Sequence, residues 1–289
     1  MANAIALAKN YISILDEVYR KASVTADLIS DSTMMRAGAN NNEIIYPQME
    51  VGGLGDYDRN SGYTSAAVKL EWKTATFNYD RGAKIEVDVM DNEESRNLAF
   101  TRAGATLQRE RVAPEADAFT FATVCGFNGI TLTAETLANA EAFLTAMLEA
   151  KNTMDEDEVP EESRYLYATP TILNSVMALD TTKSREILAA FPIKKSVPQS
   201  RFYTAIDLLD GKTAGEEAGH FKKASTAKDI NFMIIHKPAI IKFDKHIAND
   251  IIPASLNANA DGDILKYRKY GLVDFYQNKA AGFYVSHKA

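Results

Sequence analysis

The sequence predicts an α+β fold, and three observations predict it. Two strands joined by a glycine-rich stretch occupy residues 43 to 73, one long helical stretch follows from Asp91 to Val124, and the last third turns strand-rich without βα alternation. No internal repeat of fixed period is present, which excludes a solenoid or propeller. At 289 residues, 46% of them apolar and 25% charged, the chain can build one elaborated core or two connected lobes and does not have a disordered composition.

The elements are read in order. Ile5, Ala8, Ile12, Leu15, Tyr19 and Ala22 recur at steps of three or four and give an amphipathic helix with Lys9, Asp16 and Lys21 off its stripe. From Val24 the pattern dissolves, and Gly38 to Asn42 reads as an extended linker. Glu43 to Val51 is a strand that Pro47 confines to an edge, because proline cannot donate to a ladder. Gly52 to Tyr63 forms a glycine-rich tip, and in the returning strand Val68, Leu70 and Trp72 alternate with Lys69, Glu71 and Lys73. Such a hairpin is marginal in water unless something covers its apolar face, so it implies a partner surface.

Asp80-Arg81-Gly82 is read as a turn into a further strand, where Ile85, Val87 and Val89 alternate with charged residues. Asp91 and Glu94 mark a helix start, and Pro114 either kinks the long helix or opens a second one through Phe119 and Val124. Thr133 is expected to cap a helix carrying Leu137, Phe143, Leu144, Met147 and Leu148, ended by the acidic run Asp155 to Glu158. A strand at Tyr165 to Ala168 precedes Thr169-Pro170, which have N-cap and N1 character for a helix reaching Leu179, and residues 183 to 191 suggest one more helix. Strands are expected at Ala205 to Leu209, at Asn231 to Phe243 interrupted by Pro238, and at Ile264 to Ser286 around a turn at Gln277 to Gly282.

Composition narrows function. A net charge of -7 with a pI near 5.3 argues against gripping nucleic acid through its phosphates, which requires a basic surface. Cys125 is the single cysteine, so neither an intramolecular disulfide nor a multi-cysteine zinc site can form, and a reducing compartment fits best. The first residues lack the basic start and apolar run of a signal peptide, and no stretch has membrane-spanning length, so cytoplasmic synthesis without membrane partners is expected.

Several stretches resemble a known family. The layout, together with IALAKNYISILDEVYRKAS, GGLGDYDRNSGY, FNYDRG from Phe77 to Gly82, VDVMDNEE, VAPEADAF from Val112 to Phe119, and the terminal NKAAGFYVS, resembles tailed-bacteriophage major capsid proteins of the Hong Kong 97 type. The resemblance implies an N-arm (1–40), an E-loop hairpin (41–83) reaching a neighbouring subunit, a peripheral domain with the spine helix (84–127 and 262–289) and an axial domain (128–261). It further implies a virion protein assembled in the host cytoplasm into hexamers and pentamers of an icosahedral shell. Portal and separate scaffolding proteins would be its partners, and double-stranded DNA would be packaged without sequence-specific binding. Because the chain starts directly with the arm segment, no cleaved scaffolding segment is expected. An encapsulin-like compartment shell is the first alternative, and a hydrolase using the acidic run is the second. Lys69, Lys73 and Asn278 are the residue types some relatives weld into an isopeptide bond, without a motif match here.

No catalytic, cofactor-binding or metal-binding residue is expected. Asn257, Asn259, Asp261, Gly262 and Asp263 copy the front half of a calcium loop, but Arg268 stands where the bidentate glutamate belongs. Gly211-Lys212-Thr213 lacks the glycine of a phosphate loop, since Ile206 occupies that place, and Gly52, Gly53 and Gly55 lack the third glycine of a dinucleotide fingerprint because residue 58 is aspartate. His220, His236, His246 and His287 show no ligand spacing, and Cys125 reads as a small buried hydrophobe. Asp155 to Glu158 with Glu161 and Glu162 reads as a solvated helix end, and Arg102, Arg109 and Arg111 as exposed spine charges. The expected subunit-interface residues are therefore Ile12, Leu15 and Tyr19 on the arm and Gly52, Gly53, Gly55, Val68, Leu70 and Trp72 on the hairpin.

Overall fold

The computed structural model describes residues 17–19, 22–30, 36–37, 42–94 and 98–289, so Ile12 and Leu15 lie outside the described residues. In chain order the elements are β1 (Arg36–Ala37), β2 (Glu43–Val51), β3 (Val68–Thr76), β4 (Tyr79–Asp88), α1 (Val89–Glu94), α2 (Leu98–Leu107), a π-helical turn (Gln108–Val112) and α3 (Ala113–Cys125). They continue with β5 (Thr131–Ala134), α4 (Ala140–Glu156), β6 (Arg164–Ala168), α5 (Pro170–Ala178), α6 (Thr182–Ala189), β7 (Ile193–Ser196), β8 (Ile206–Leu208) and β9 (Phe221–Lys223). The strands β10 (Ile230–His236), β11 (Ile240–Ile252), β12 (Gly262–Phe275) and β13 (Phe283–His287) complete the chain.

The main core is a five-stranded sheet of order β5-β13-β10-β6-β7. Every residue of β6 and β10 is buried, which explains why these strands read as continuous apolar runs without alternation. Tyr165, Tyr167, Met233 and Ile235 face Phe121 and Val124 of α3 on one side. Leu166, Ala168, Phe232 and Ile234 face Met147, Met154, Ile172 and Leu188 of the helical layer on the other. The period-two alternation of strand side chains thus builds three layers from one sheet.

A second sheet, β11-β12-β4, is antiparallel throughout and lies along the spine helices, where Tyr267 packs on Val112, Ala113 and Ala116. Pro114 opens α3 instead of breaking the spine. Its ring would clash with the carbonyl four residues back, and the wide turn before it resolves this by bonding Ala113 N–H to the Gln108 carbonyl, five residues back.

Several expected boundaries move. Asp80 to Gly82 is not a turn but strand interior, and the break between β3 and β4 falls at Phe77 and Asn78, where the Asn78 amide bonds both backbone groups of Val273. Gly82 is there because a Cβ would sit 2.9 Å from the Tyr267 carbonyl oxygen, so the requirement is close strand approach. Val89 starts α1 and is not part of the strand; the Asp88 carboxylate accepts from Met90 N–H at 2.9 Å, a capping role the sequence reading gave to Asp91. Thr133 lies in β5, and α4 begins later, with Asn139 as N-cap accepting from Ala142 N–H at 2.8 Å. Thr169 and Pro170 do open α5, and α6 carries a capping box between Thr181 and Ser184.

Sheet membership also cuts across the expected domain boundaries. β11, placed with 128–261, pairs along its length with β12, and β13, placed with β12, pairs instead with β10 and β5. Consecutive strands joined by a short connection pair with each other, which holds the long β11–β12 hairpin in one sheet.

Candidate assembly surface

The β2–β3 hairpin is where the sequence located a partner surface. Its register pairs Ile44 with Ala75, Tyr46 with Lys73, Pro47 with Trp72, Met49 with Leu70 and Val51 with Val68. Directly paired residues share a face, so Ile44, Tyr46, Gln48 and Glu50 lie with Ala75, Lys73, Glu71 and Lys69 on one side. At the base this side is interior: Ile44, Tyr46 and Ala75 are 6%, 2% and 1% exposed and pack on Ile241 and Leu272. Beyond Tyr46 it becomes charged, with Glu71 bridging Lys69 at 2.6 Å and Lys73 at 2.9 Å.

The opposite face behaves inversely. Pro47, Met49, Val51, Val68, Leu70 and Trp72 form one apolar strip, with Met49 58%, Val51 65%, Val68 64%, Leu70 51% and Trp72 47% exposed. The hairpin's apolar side therefore changes faces partway along its length. The packing on Ile241 and Leu272 that buries the Ile44 side cannot also bury the Trp72 side, because strand side chains point to opposite faces. Covering the strip would gain roughly 1 kcal/mol per large side chain, given that each still exposes about half its surface.

The tip adds to this surface. Leu54, Tyr57 and Tyr63 are exposed, and the two tyrosine rings stand 4.8 Å apart, tilted. The Asp58 carboxylate accepts from Asn60 and Ser61 N–H, and Gly62 takes φ +82, a left-handed value that glycine adopts without strain. Of the expected glycines, Gly55 is required by contact, since a Cβ would lie 2.1 Å from Thr64 Oγ1, whereas nothing lies within 4 Å of the corresponding point at Gly53. Among the described residues β1 pairs β2 at Ile44 and Ile45, short of Pro47.

No protein-family model matches the sequence, and no curated protein matches it. Solved structures do. The capsid structure of cyanophage P-SCSP1u aligns with a TM-score of 0.63 at 13% identity, over 93% of this chain and 88% of that one. The asymmetric unit of the bacteriophage PhiM1 mature capsid aligns at 0.57 and 12% identity, over 88% and 84% of the two chains. The chain has the phage-capsid fold. A virus-like particle from Pyrococcus furiosus shares it at 0.56 and 9% identity, over 96% and 98% of the two chains.

Within this capsid fold the described residues 19 and 22–30 pack on their own chain. Tyr19 was expected on a subunit interface, yet it is buried inside its own chain against Val112, Ala116 and Tyr267, with its hydroxyl accepting from Lys269 Nζ at 2.7 Å. Residues 22–30 are fastened likewise. The Asp117 carboxylate of α3, fully buried, accepts from Ser23 Oγ, Val24 N–H, Thr25 N–H, Thr25 Oγ1 and Arg201, at 2.6 to 3.1 Å. Leu28 is fully buried in the main core. The amphipathic reading missed this because the anchors are polar and distant in sequence. The available signal was a lone aspartate in the apolar run Ala113 to Val124 and a lone lysine in Ile240 to Phe243.

The remaining motifs of the capsid fold serve local structure. Asp210 accepts from Lys212 N–H and Thr213 N–H, closing the turn that carries Gly211. Asn257 bonds Glu86 and the Gly262 carbonyl, and Asp263 accepts from Ala254 N–H, so both close their own loop. Asp155 pairs with Lys151 and, at 2.7 Å, with the buried Arg164. His236 is buried, and desolvation with Lys279 and Arg164 nearby lowers its pKa. Among the described residues, no cluster of three His, Cys, Asp or Glu side chains is placed to hold a metal, and no helix is long and apolar enough to cross a membrane.

Cys125 is partly exposed, yet desolvation by its surroundings pushes the thiol up to about 12, which keeps it protonated at neutral pH. The native protein is expected not to react with a thiol reagent such as Ellman's at about pH 8 and to release one equivalent after unfolding, given its single cysteine. Native labelling as fast as that of a free thiol would contradict the desolvated environment.

Proposed function

We propose that the chain is the major capsid protein of a tailed phage, a structural subunit that does no chemistry and tiles with copies of itself. The observation that carries this reading is the inverted hairpin, whose Met49, Val51, Val68 and Leu70 stand 51% to 65% exposed among the described residues, on the face opposite the buried Ile44 and Tyr46. A second copy supplies their cover, and a closed shell lets every copy both give and receive it. Hexamers and pentamers of an icosahedral head are the closed arrangement, formed in the host cytoplasm with a portal and a separate scaffolding protein. The acidic chain encloses double-stranded DNA without reading its sequence. The hairpin corresponds to the E-loop, the spine with its sheet to the peripheral domain, and the five-stranded sheet with α4 to α6 to the axial domain.

The test is assembly of the purified chain, alone and with a co-expressed scaffold, followed by electron microscopy and sedimentation. Uniform polyhedral particles support the reading, and a chain that stays monomeric under all such conditions overturns it. Trp72 is the single tryptophan, so its fluorescence reports the strip directly: the emission maximum is expected to shift to shorter wavelength on assembly.

The match to the virus-like particle from Pyrococcus furiosus, over nearly the whole of both chains, favours one second reading, a compartment shell enclosing protein cargo. The contents of particles purified from the native source separate the two: DNA supports the phage head, and a co-purifying enzyme supports the compartment.

A further inference from the structure

Lys242 of β11 is 3% exposed, yet among the described residues its ammonium donates to neutral oxygens, Thr25 Oγ1 at 2.6 Å and the Thr25 carbonyl at 3.2 Å. Among the described residues no carboxylate forms an ion pair with it. Both acceptors belong to the segment 22–30, which runs over the sheet like a strap. Ser30 N–H donates to the Lys242 carbonyl at 2.9 Å, and Lys242 N–H donates back to Ser30 Oγ at 3.1 Å. Thr25 Oγ1 in turn donates to Asp117 at 2.6 Å, so one hydroxyl joins a buried ammonium on the sheet to a buried carboxylate on the spine.

We propose that docking of residues 22–30 onto the sheet is a proton-linked step governed by Lys242. Laying the strap down removes water from an ammonium and gives it no counter-ion in return, which disfavours the charged form. The groups facing it from the surrounding elements do not reverse this. Lys269 of β12 repels it most, Asp117 of α3 and Asp244 of β11 attract it, and Lys195 of β7 repels it more weakly. Each attracting carboxylate is engaged elsewhere, Asp117 by Arg201 and Asp244 by Lys269 at 3.1 Å. Asp27, on the strap itself, is held by Lys195. Burial accordingly moves Lys242 from the usual 10.5 to about 8.

The sign follows. With the strap open, the amine regains water and its ordinary affinity for protons, so opening takes up a proton between about pH 8 and the ordinary lysine pKa near 10.4. Docking is therefore weakest below that window and strengthens as pH rises through it. Lys269 and Tyr19 are both pushed upward, Tyr19 mainly by burial and Lys269 by Tyr19 and Asp244 against burial, so neither loses its proton in the docked state across most of this window.

Hydrogen exchange of peptides spanning residues 22–30, corrected for intrinsic rates, tests this on the full chain. Between about pH 7.5 and about pH 9.5, protection of the Thr25 and Ser30 amides in the wild type is expected to rise about twenty-fold relative to the core strand β10. Lys242→Met is expected to abolish the rise, and Lys242→Arg, charged at every pH, to give low and flat protection. Flat wild-type protection overturns the proposal by itself, as does an unchanged rise in Lys242→Met.

Discussion

Leu70→Asp combined with Trp72→Ala is expected to yield a folded chain that no longer forms particles. Both side chains are about half exposed in the single subunit, at 51% and 47%, so removing them costs the isolated fold little, within about 1 kcal/mol as for ordinary surface substitutions. In the shell the same positions would sit in a desolvated interface repeated in every copy. An aspartate buried there without a partner costs several kcal/mol per contact, more than the roughly 1 kcal/mol that each apolar side chain contributes by burial. In the proposed shell each copy would take part in several such contacts, so a loss at each one would compound through the lattice. Circular dichroism and thermal unfolding check the fold, and sedimentation with microscopy checks assembly. Particles forming at the wild-type concentration would show that the strip is not an interface. The complementary change Glu71→Gln, on the charged face of the same strand, is expected to leave assembly intact.

Asp117→Ala is expected to destabilise the subunit by about 3 to 5 kcal/mol, the cost of removing one partner from a buried charge network. The carboxylate is fully buried and receives two backbone N–H groups, two hydroxyls and the Arg201 guanidinium, all of which would lose their acceptor together. Lys242 would also lose the nearest attraction from α3. Asp117→Asn retains one acceptor oxygen and is expected to fall between wild type and alanine. Urea unfolding measures both, and a loss below about 1 kcal/mol for the alanine variant would mean that residues 22–30 contribute no stability to the subunit. Arg201→Met removes the cation and its bond to the Ala22 carbonyl but leaves the four strap donors to Asp117, so a smaller loss than for Asp117→Ala is expected.

The legible parts of this molecule are those written in local periodicity. The alternation Val68, Leu70, Trp72 against Lys69, Glu71, Lys73 identified the hairpin and its two chemically different faces, and Thr169-Pro170 identified the start of α5. Thr133 misled because a hydroxyl before apolar residues suits a strand edge as well as a cap, and pairing of β5 with β13 decided for the strand. Gly82 misled for a related reason: glycine beside Asp and Arg reads as a turn, while the close approach of Tyr267 that requires it lies far along the chain.

By itself the sequence determined the α+β class, the projecting hairpin with its exposed apolar strip and the absence of any intramolecular disulfide, since each depends on spacing or residue count within a short window. Only the tertiary structure decided that the hairpin's interior side changes faces at Tyr46, that β11 belongs with β12, and that Tyr19 and residues 22–30 are held by Asp117, Lys242 and Lys269 of their own chain. The physical reason is that periodicity specifies which face of an element is apolar, whereas the partner of that face, and the partner of a lone buried charge, is fixed by contacts between residues far apart in the chain.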